Sequence, residues 1–212
     1  MMECKKALVE VGGNADAAED LLRKKMKGKM DARTDRAAGE GRIAVAIHRP
    51  DAGGATPHAS IVEVRAETDF TAKNDQFIAM VAKVADAVAE LPAGEVAAPA
   101  QVTAMIDEVR IKTGENCSYA RGRKIAGSAS SVFGAYVHHD GKTGVLLHAE
   151  GDISADLLKD IGMHVVANPI IPKGVNAADI PADIVEKERK FRIDQAMESG
   201  KPKEIAEKMV EG

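Results

Sequence analysis

Ile61-Val62-Glu63-Val64, continued by Glu67-Thr68-Asp69-Phe70-Thr71-Ala72-Lys73-Asn74-Asp75, is where the chain changes its hydrophobic period. Residues 61–64 read as a strand. Beyond Thr68-Asp69-Phe70 a helix is expected to about Leu91. Its stripe is Phe77, Val81, Val84, Val88 and Leu91, spaced at 4, 3, 4 and 3, which places all five on one helical face. Pro92-Ala93-Gly94 ends it. Upstream, Ile43, Val45 and Ile47 alternate with small residues through 42–48, and Pro50-Asp51-Ala52-Gly53-Gly54 reads as the loop of a hairpin. A further helix is expected over about 99–112, with Val102, Ile106, Val109 and Arg110 marking its faces.

The same order recurs downstream. Val132 to Val137 reads as a strand, Asp140-Gly141-Lys142 as a tight turn, and Val145-Leu146-Leu147 as the return strand. Ser154 then caps a helix carrying Leu157, Leu158, Ile161 and Val165. Ile47-His48-Arg49-Pro50-Asp51 answers Val137-His138-His139-Asp140, and Ile61-Val62-Glu63-Val64 answers Val145-Leu146-Leu147-His148. A hairpin-plus-helix module used twice gives an α+β fold, with antiparallel sheets backed by helices.

The ends read as helical. Ala7, Leu8 and Val11 stripe a first short helix, and Cys4, at helical spacing to Leu8, is expected in the core. Gly12 suits the position just past that helix, Asn14 can cap a second, and Ala18, Leu21 and Leu22 give the second its buried face. Residues 23–41 read as a polar connector, in which Arg23-Lys24-Lys25-Met26-Lys27-Gly28-Lys29 places five cations in seven residues. A solvated helix C-terminus, whose cations favour the macrodipole, explains that run better than a nucleic-acid patch. At the other end Pro181 fits the first position of a helix with Ile184, Val185 and Phe191 pointing inward. Gly200 stops it, and Pro202 starts another with Ile205, Ala206 and Met209 as its apolar face.

Composition narrows the function. The chain has 212 residues and a net charge of −4, so no global basic field holds nucleic acid. No apolar run approaches the ~20 residues of a membrane span. The N-terminus has no hydrophobic signal core, and Cys4 and Cys117 form no CxxC pair, which fits a reducing cytoplasm. Aromatics are scarce: Trp is absent, leaving four Phe and two Tyr. The core must be aliphatic, and any exposed Phe becomes conspicuous.

No active site assembles from the remaining residues. His138 and His139, adjacent on a strand, point to opposite faces, so they cannot easily share a metal with His148. Cys4 or Cys117 with His164 has no local nucleophile signature, and no phosphate-cradling glycine loop or other cofactor motif is present. The strand-to-helix corner at 67–75 differs. Either Asp69 caps the helix and Phe70 tucks beneath it as a staple, or the acid and the aromatic protrude as a wedge for a partner.

Four segments carry a resemblance. Met1-Met2-Glu3-Cys4-Lys5-Lys6-Ala7-Leu8, Thr68-Asp69-Phe70-Thr71-Ala72-Lys73, Met163-His164-Val165-Val166-Ala167 and Gly200-Lys201-Pro202-Lys203-Glu204-Ile205-Ala206-Glu207-Lys208-Met209-Val210-Glu211-Gly212 together resemble the elongation factor Ts family. These are the guanine-nucleotide exchange factors of elongation factor Tu. The likeness covers essentially the whole chain.

The resemblance implies a translation elongation factor with no cofactor and no covalent chemistry, whose partner is elongation factor Tu·GDP rather than nucleic acid or a membrane. It implies a ubiquitin-associated-type piece over 1–27, a linker over 28–41, core subdomains over 42–113 and 114–180, the second incomplete, and C-terminal helices over 181–212. Thr68, Asp69, Phe70 and Thr71 would form the element that enters Tu beside its magnesium site. Met1, Met2, Met163 and His164 would make further contacts with Tu, His164 being alternatively a packing histidine. Thr71 stands where the family usually has Val, and the linker carries fewer cations than usual. The family also has a helix ahead of Met1 and a helical hairpin after Gly212, so the sequence reads as a larger protein shortened at both ends. A protein that binds the GTPase without exchange activity is the alternative this leaves open.

Overall fold

The computed structural model describes residues 1–49, 56–170 and 172–211; the expected loop at Pro50–Gly54 lies outside them. Strands β1 (Glu40–His48) and β2 (His58–Ala66) pair antiparallel from Glu40 opposite Ala66 to His48 opposite His58. A four-residue helix α3 (Asp69–Ala72) and the long α4 (Asp75–Ala89) follow. Along β2, Ser60, Val62, Val64 and Ala66 alternate onto one buried face. Helix α4 lies over that face, and four of its five predicted stripe residues form the core: Phe77, Val81, Val84 and Val88 are fully buried, joined by Met80, Ala85 and Ala89, while Leu91 falls past the helix end and is half-buried. Ser60 Oγ donates to the Ala85 carbonyl at 2.6 Å, pinning strand to helix. Val102, Ile106 and Val109 of α5 (Ala100–Thr113) close the core, as their spacing indicated.

The first sheet is larger than a hairpin. Its order is β1-β2-β4-β3, with β4 (Ser118–Ala126) antiparallel to β2, and the two-residue β3 (Gly94–Glu95) at the edge. Sequence periodicity missed β4 because Arg121 and Arg123 are exposed on one face, while Gly122 and Lys124 supply no apolar alternation on the other. Backbone pairing holds it, helped by Glu63, which accepts from Arg121 Nε at 2.7 Å and Arg65 Nε at 2.9 Å. Burial pushes the Glu63 carboxyl up, but those two hydrogen bonds outweigh it and hold it below the usual range. The expected boundary at 113/114 therefore precedes a strand that belongs to the first sheet.

The second sheet is the hairpin β5 (Ser131–Val137) and β6 (Gly144–Glu150), covered by α6 (Ala155–Ala167). Two glycines set the spacing. A Cβ on Gly134 would lie 2.3 Å from Leu158 Cβ, and one on Gly162 would lie 3.0 Å from a Val145 methyl. Leu158 and Gly162 consequently face the sheet, while Leu157 and Ile161, expected on the buried face, are exposed. The sheets abut where the Ile43 N–H donates to the Gly141 carbonyl at 2.8 Å.

At the N-terminus, α1 (Met2–Glu10) and α2 (Ala15–Asp31) flank a turn. Asn14 Oδ1 accepts from the Ala17 amide at 3.0 Å, and Gly12 takes φ +66°, both as expected. Two readings change. Cys4 is exposed, because Ala7 is the α1 residue that reaches the interior. Helix α2 also runs four residues past the expected end of the N-terminal piece, into the connector. Its cations are good helix formers and sit near its C-terminus, where the dipole favours them. Packing fixes that end: Met30 is buried, and the buried Arg110 of α5 donates to its carbonyl at 2.9 Å.

Residues from Pro169 onward form a separate unit. Helix α7 (Ala182–Glu198) begins one residue after Pro181, which serves as the N-cap rather than the first helical residue. Helix α8 (Lys203–Glu211) packs against it, and Gly200 between them takes φ +88°. Ile184, Val185 and Phe191 are exposed, contrary to expectation; two helices supply too little surface to bury them, and only Ala206 of α8 is buried.

Gly134→Ala should lower the unfolding free energy by about 1–3 kcal/mol through the Leu158 clash. Gly39→Ala, which meets nothing within 4 Å at an ordinary φ, should stay within about 0.5 kcal/mol. Urea unfolding followed by circular dichroism measures both.

Candidate functional site

The corner between β2 and α4 is built from the inside. Ala66 ends β2 fully buried, and Thr71 and Ala72 are buried at 6% and 5% exposure. Successive residues of a helix are about 100° apart, so a turn that buries residues 71 and 72 turns residues 69 and 70 outward. Phe70 is 83% exposed, the most exposed aromatic among the described residues. The staple reading fails for Phe70, and Asp69 is not the cap. Thr68 is: its backbone is extended and its Oγ1 accepts from the Thr71 amide at 3.4 Å.

Thr68 is itself gripped from below. The Glu115 carboxylate accepts from the Thr68 amide at 3.1 Å and from its hydroxyl at 2.6 Å. One residue earlier, Glu67 accepts from the Asn116 amide at 2.7 Å. Asn116 Nδ2 in turn donates to the carbonyls of Thr34 at 3.1 Å and Arg36 at 2.8 Å. The segment after α5 thereby ties the connector to the corner. None of these long-range partners could be read from local sequence.

The outer face is electrostatically simple. Lys73 Nζ lies 2.7 Å from Asp69 Oδ2, one helical turn away. That hydrogen bond and its positive charge hold the Asp69 carboxyl below its usual range, so the group is ionised at neutral pH. A half-exposed, ionised acid stands beside a well-exposed phenyl ring on a backbone that is clamped underneath. Nothing in this arrangement supplies a nucleophile or a proton-transfer pair.

The other expected contact residues are also at the surface. Met1 and Met2 are exposed at the start of α1, and Met163 and His164 are exposed on α6, so His164 is not a packing histidine. Thr68 and Thr71 differ: they hold the turn, and Thr71 is closed off by its burial. Among the histidines weighed for a metal, His138 and His139 lie past the end of β5, and their rings meet at 4.2 Å instead of pointing to opposite faces. His148 stacks on Phe133 at 4.7 Å with its Nε2 2.7 Å from Ser131 Oγ, and His138 Nδ1 lies 3.1 Å from Tyr136 Oη. Two other histidines, His48 and His58, meet across β1 and β2, a pairing visible only once the register is known. No described helix is long and apolar enough to cross a membrane.

Comparison with known proteins places the chain in a family. The family model described as Elongation factor TS matches residues 67–212, beginning at the corner itself. The chain is 39% identical to the elongation factor Ts of Thiobacillus denitrificans, covering all of this chain and 71% of the relative. It is 41% identical to that of Methylococcus capsulatus and 40% identical to that of Alkalilimnicola ehrlichii, in each case over all of this chain and 72% of the relative. The chain belongs to the elongation factor Ts family, a family of translation elongation factors.

Proposed function

We propose that this chain binds elongation factor Tu·GDP and accelerates GDP release, with Phe70 and Asp69 as the inserted pair. The observation that carries this reading is the exposure of Phe70 on a turn whose Thr71 and Ala72 are buried and whose Thr68 is tethered. Exposing a phenyl ring to water is unfavourable, and a rigid corner loses little entropy when the ring enters a pocket. Burying a Phe removes about 150–250 Å² from water, an upper bound near 4–6 kcal/mol at ~25 cal/mol per Å². Each ~1.4 kcal/mol is tenfold in an equilibrium, so part of that energy suffices to displace a nucleotide-site element of the partner.

Asp69 acts beside it by charge. Magnesium demands near-ideal octahedral oxygen geometry and usually keeps several waters, so an added carboxylate at its edge disturbs the shell that anchors the nucleotide phosphates. Asp69 is ionised at neutral pH as any ordinary aspartate is, and Lys73 holds it in place one turn away until the partner is met. Thr68 and Thr71 position the pair from below, while Met1, Met2, Met163 and His164 supply further contact surface. Exchange then follows by linkage: a factor that prefers nucleotide-free Tu weakens GDP binding, and incoming nucleotide weakens the factor by the same free energy. The chain acts as an exchange factor, without covalent chemistry, in the cytoplasm where translation runs.

Phe70→Ala should slow stimulated GDP release from Tu by at least about tenfold, the equivalent of ~1.4 kcal/mol. Stopped-flow release of a fluorescent GDP measures it; an unchanged rate in the folded variant refutes the wedge, and binding without acceleration by the parent chain supports a non-exchanging GTPase binder instead. Lys73→Met should move the Asp69 carboxyl titration upward toward the ordinary carboxylate range, read by NMR. Glu115→Ala should free Thr68 and reduce exchange without removing either outer side chain, whereas full activity in that variant means that the tether is dispensable.

A further inference from the structure

The far end of the first sheet carries a cluster unrelated to the corner. His48 ends β1 and His58 begins β2, directly opposite in register. Their rings stack at 5.0 Å with 10° between planes. Glu90, the C-cap of α4, reaches both: its Oε1 lies 3.7 Å from His48 Nδ1 and 3.7 Å from His58 Nε2. One donor atom from each of the three residues lies within 4.8 Å of the others.

The proton positions make this arrangement informative. His58 Nδ1 lies 3.1 Å from the Thr56 carbonyl, and a carbonyl only accepts, so Nδ1 carries the hydrogen there. In the neutral ring Nε2 then presents a lone pair. That nitrogen is shut off from solvent, has no hydrogen-bond partner, and faces Glu90 Oε1. His48 Nε2 lies 3.4 Å from Asp86 Oδ1, and its Nδ1 lies 3.7 Å from Glu90 Oε1. The in-plane lone pairs of two stacked rings run parallel, so a shared ion requires one ring to turn toward Glu90, and a proton on either ring is the competing cation. Ligands around a tetrahedral zinc at bond lengths of 2.0–2.1 Å stand about 3.4 Å apart, against 3.7 Å from Glu90 Oε1 to each imidazole and all three atoms within 4.8 Å. Thr56 and Asp86 occupy the places of the outer partners that orient metal-bound histidines. The negative end of the α4 dipole points at the same spot.

We propose that His48, His58 and Glu90 form a binding site for a divalent transition metal of the zinc class, with His58 Nε2, His48 Nδ1 and a Glu90 oxygen as ligands. Two imidazoles and one carboxylate suit zinc and its neighbours rather than magnesium or calcium, which favour all-oxygen shells. The site lies at the hairpin end of the sheet. A bound ion cross-links β1, β2 and the end of α4, which are the elements that carry the corner core.

Calorimetric titration of the whole chain with Zn2+ tests this, in a Cys4→Ser background so that the exposed thiol does not compete. The expected result is saturable uptake of one Zn2+ per chain. Glu90→Gln and His58→Ala should each weaken it by at least about tenfold, the lower range seen even for loss of outer-shell partners. His139→Ala should leave it unchanged. Glu90 is well exposed, so Glu90→Gln keeps the fold and decides the matter if His58→Ala does not fold. Absence of saturable binding, or parental affinity in Glu90→Gln, overturns the proposal.

Discussion

The seam between β2 and α4 governs the rest of the structure. It runs through Val62, Val64 and Ala66, continues under the corner through Thr71 and Ala72, and resumes at Phe77, Val81, Val84 and Val88. Because it is unbroken on both sides of the turn, the orientation of Asp69 and Phe70 is not free. Burying residues 71 and 72 sends 69 and 70 outward by helical geometry alone. Exposure of the ring is thus a consequence of packing, and the cost of leaving it in water is carried by the aliphatic core beneath.

Secondary restraints then stiffen what the seam orients. Glu115 holds both donors of Thr68, Glu67 holds the Asn116 amide, and Asn116 reaches back to the connector. Polar groups paired beneath a turn hold it in one arrangement, and the proposed insertion would draw on that rigidity. Arg110 extends the same logic by anchoring the end of α2 on α5 through the Met30 carbonyl. Shape and charge thereby come from different sources: the core sets the direction of the ring, and the Asp69–Lys73 pair sets the charge beside it.

Legibility in the sequence followed the kind of signal. The α4 stripe, the α5 stripe and the Asn14 cap were readable because their causes are local and periodic. Strand β4 was not, since Arg121, Arg123 and Lys124 carry no apolar alternation and its partner lies in β2. The end of α2 was misjudged because tertiary contact at Met30, not propensity, decides it. The corner was readable as a site of interest from Asp69 and Phe70, but two local readings competed there. Burial of Thr71 and the grip of Glu115, across nearly fifty positions, turn Phe70 outward and rule out the staple. The facing of His48 and His58 depended on strand register and could not be seen from composition.

The central claim is that Phe70 passes from water into the partner. The chain contains no tryptophan, so Phe70→Trp introduces a unique reporter at that position. Its emission, after subtraction of the same mixture made with the parent chain, should shift to the blue and become shielded from aqueous quenchers when Tu·GDP is added. An indole that stays solvent-exposed in a complex shown to form by gel filtration would contradict the account.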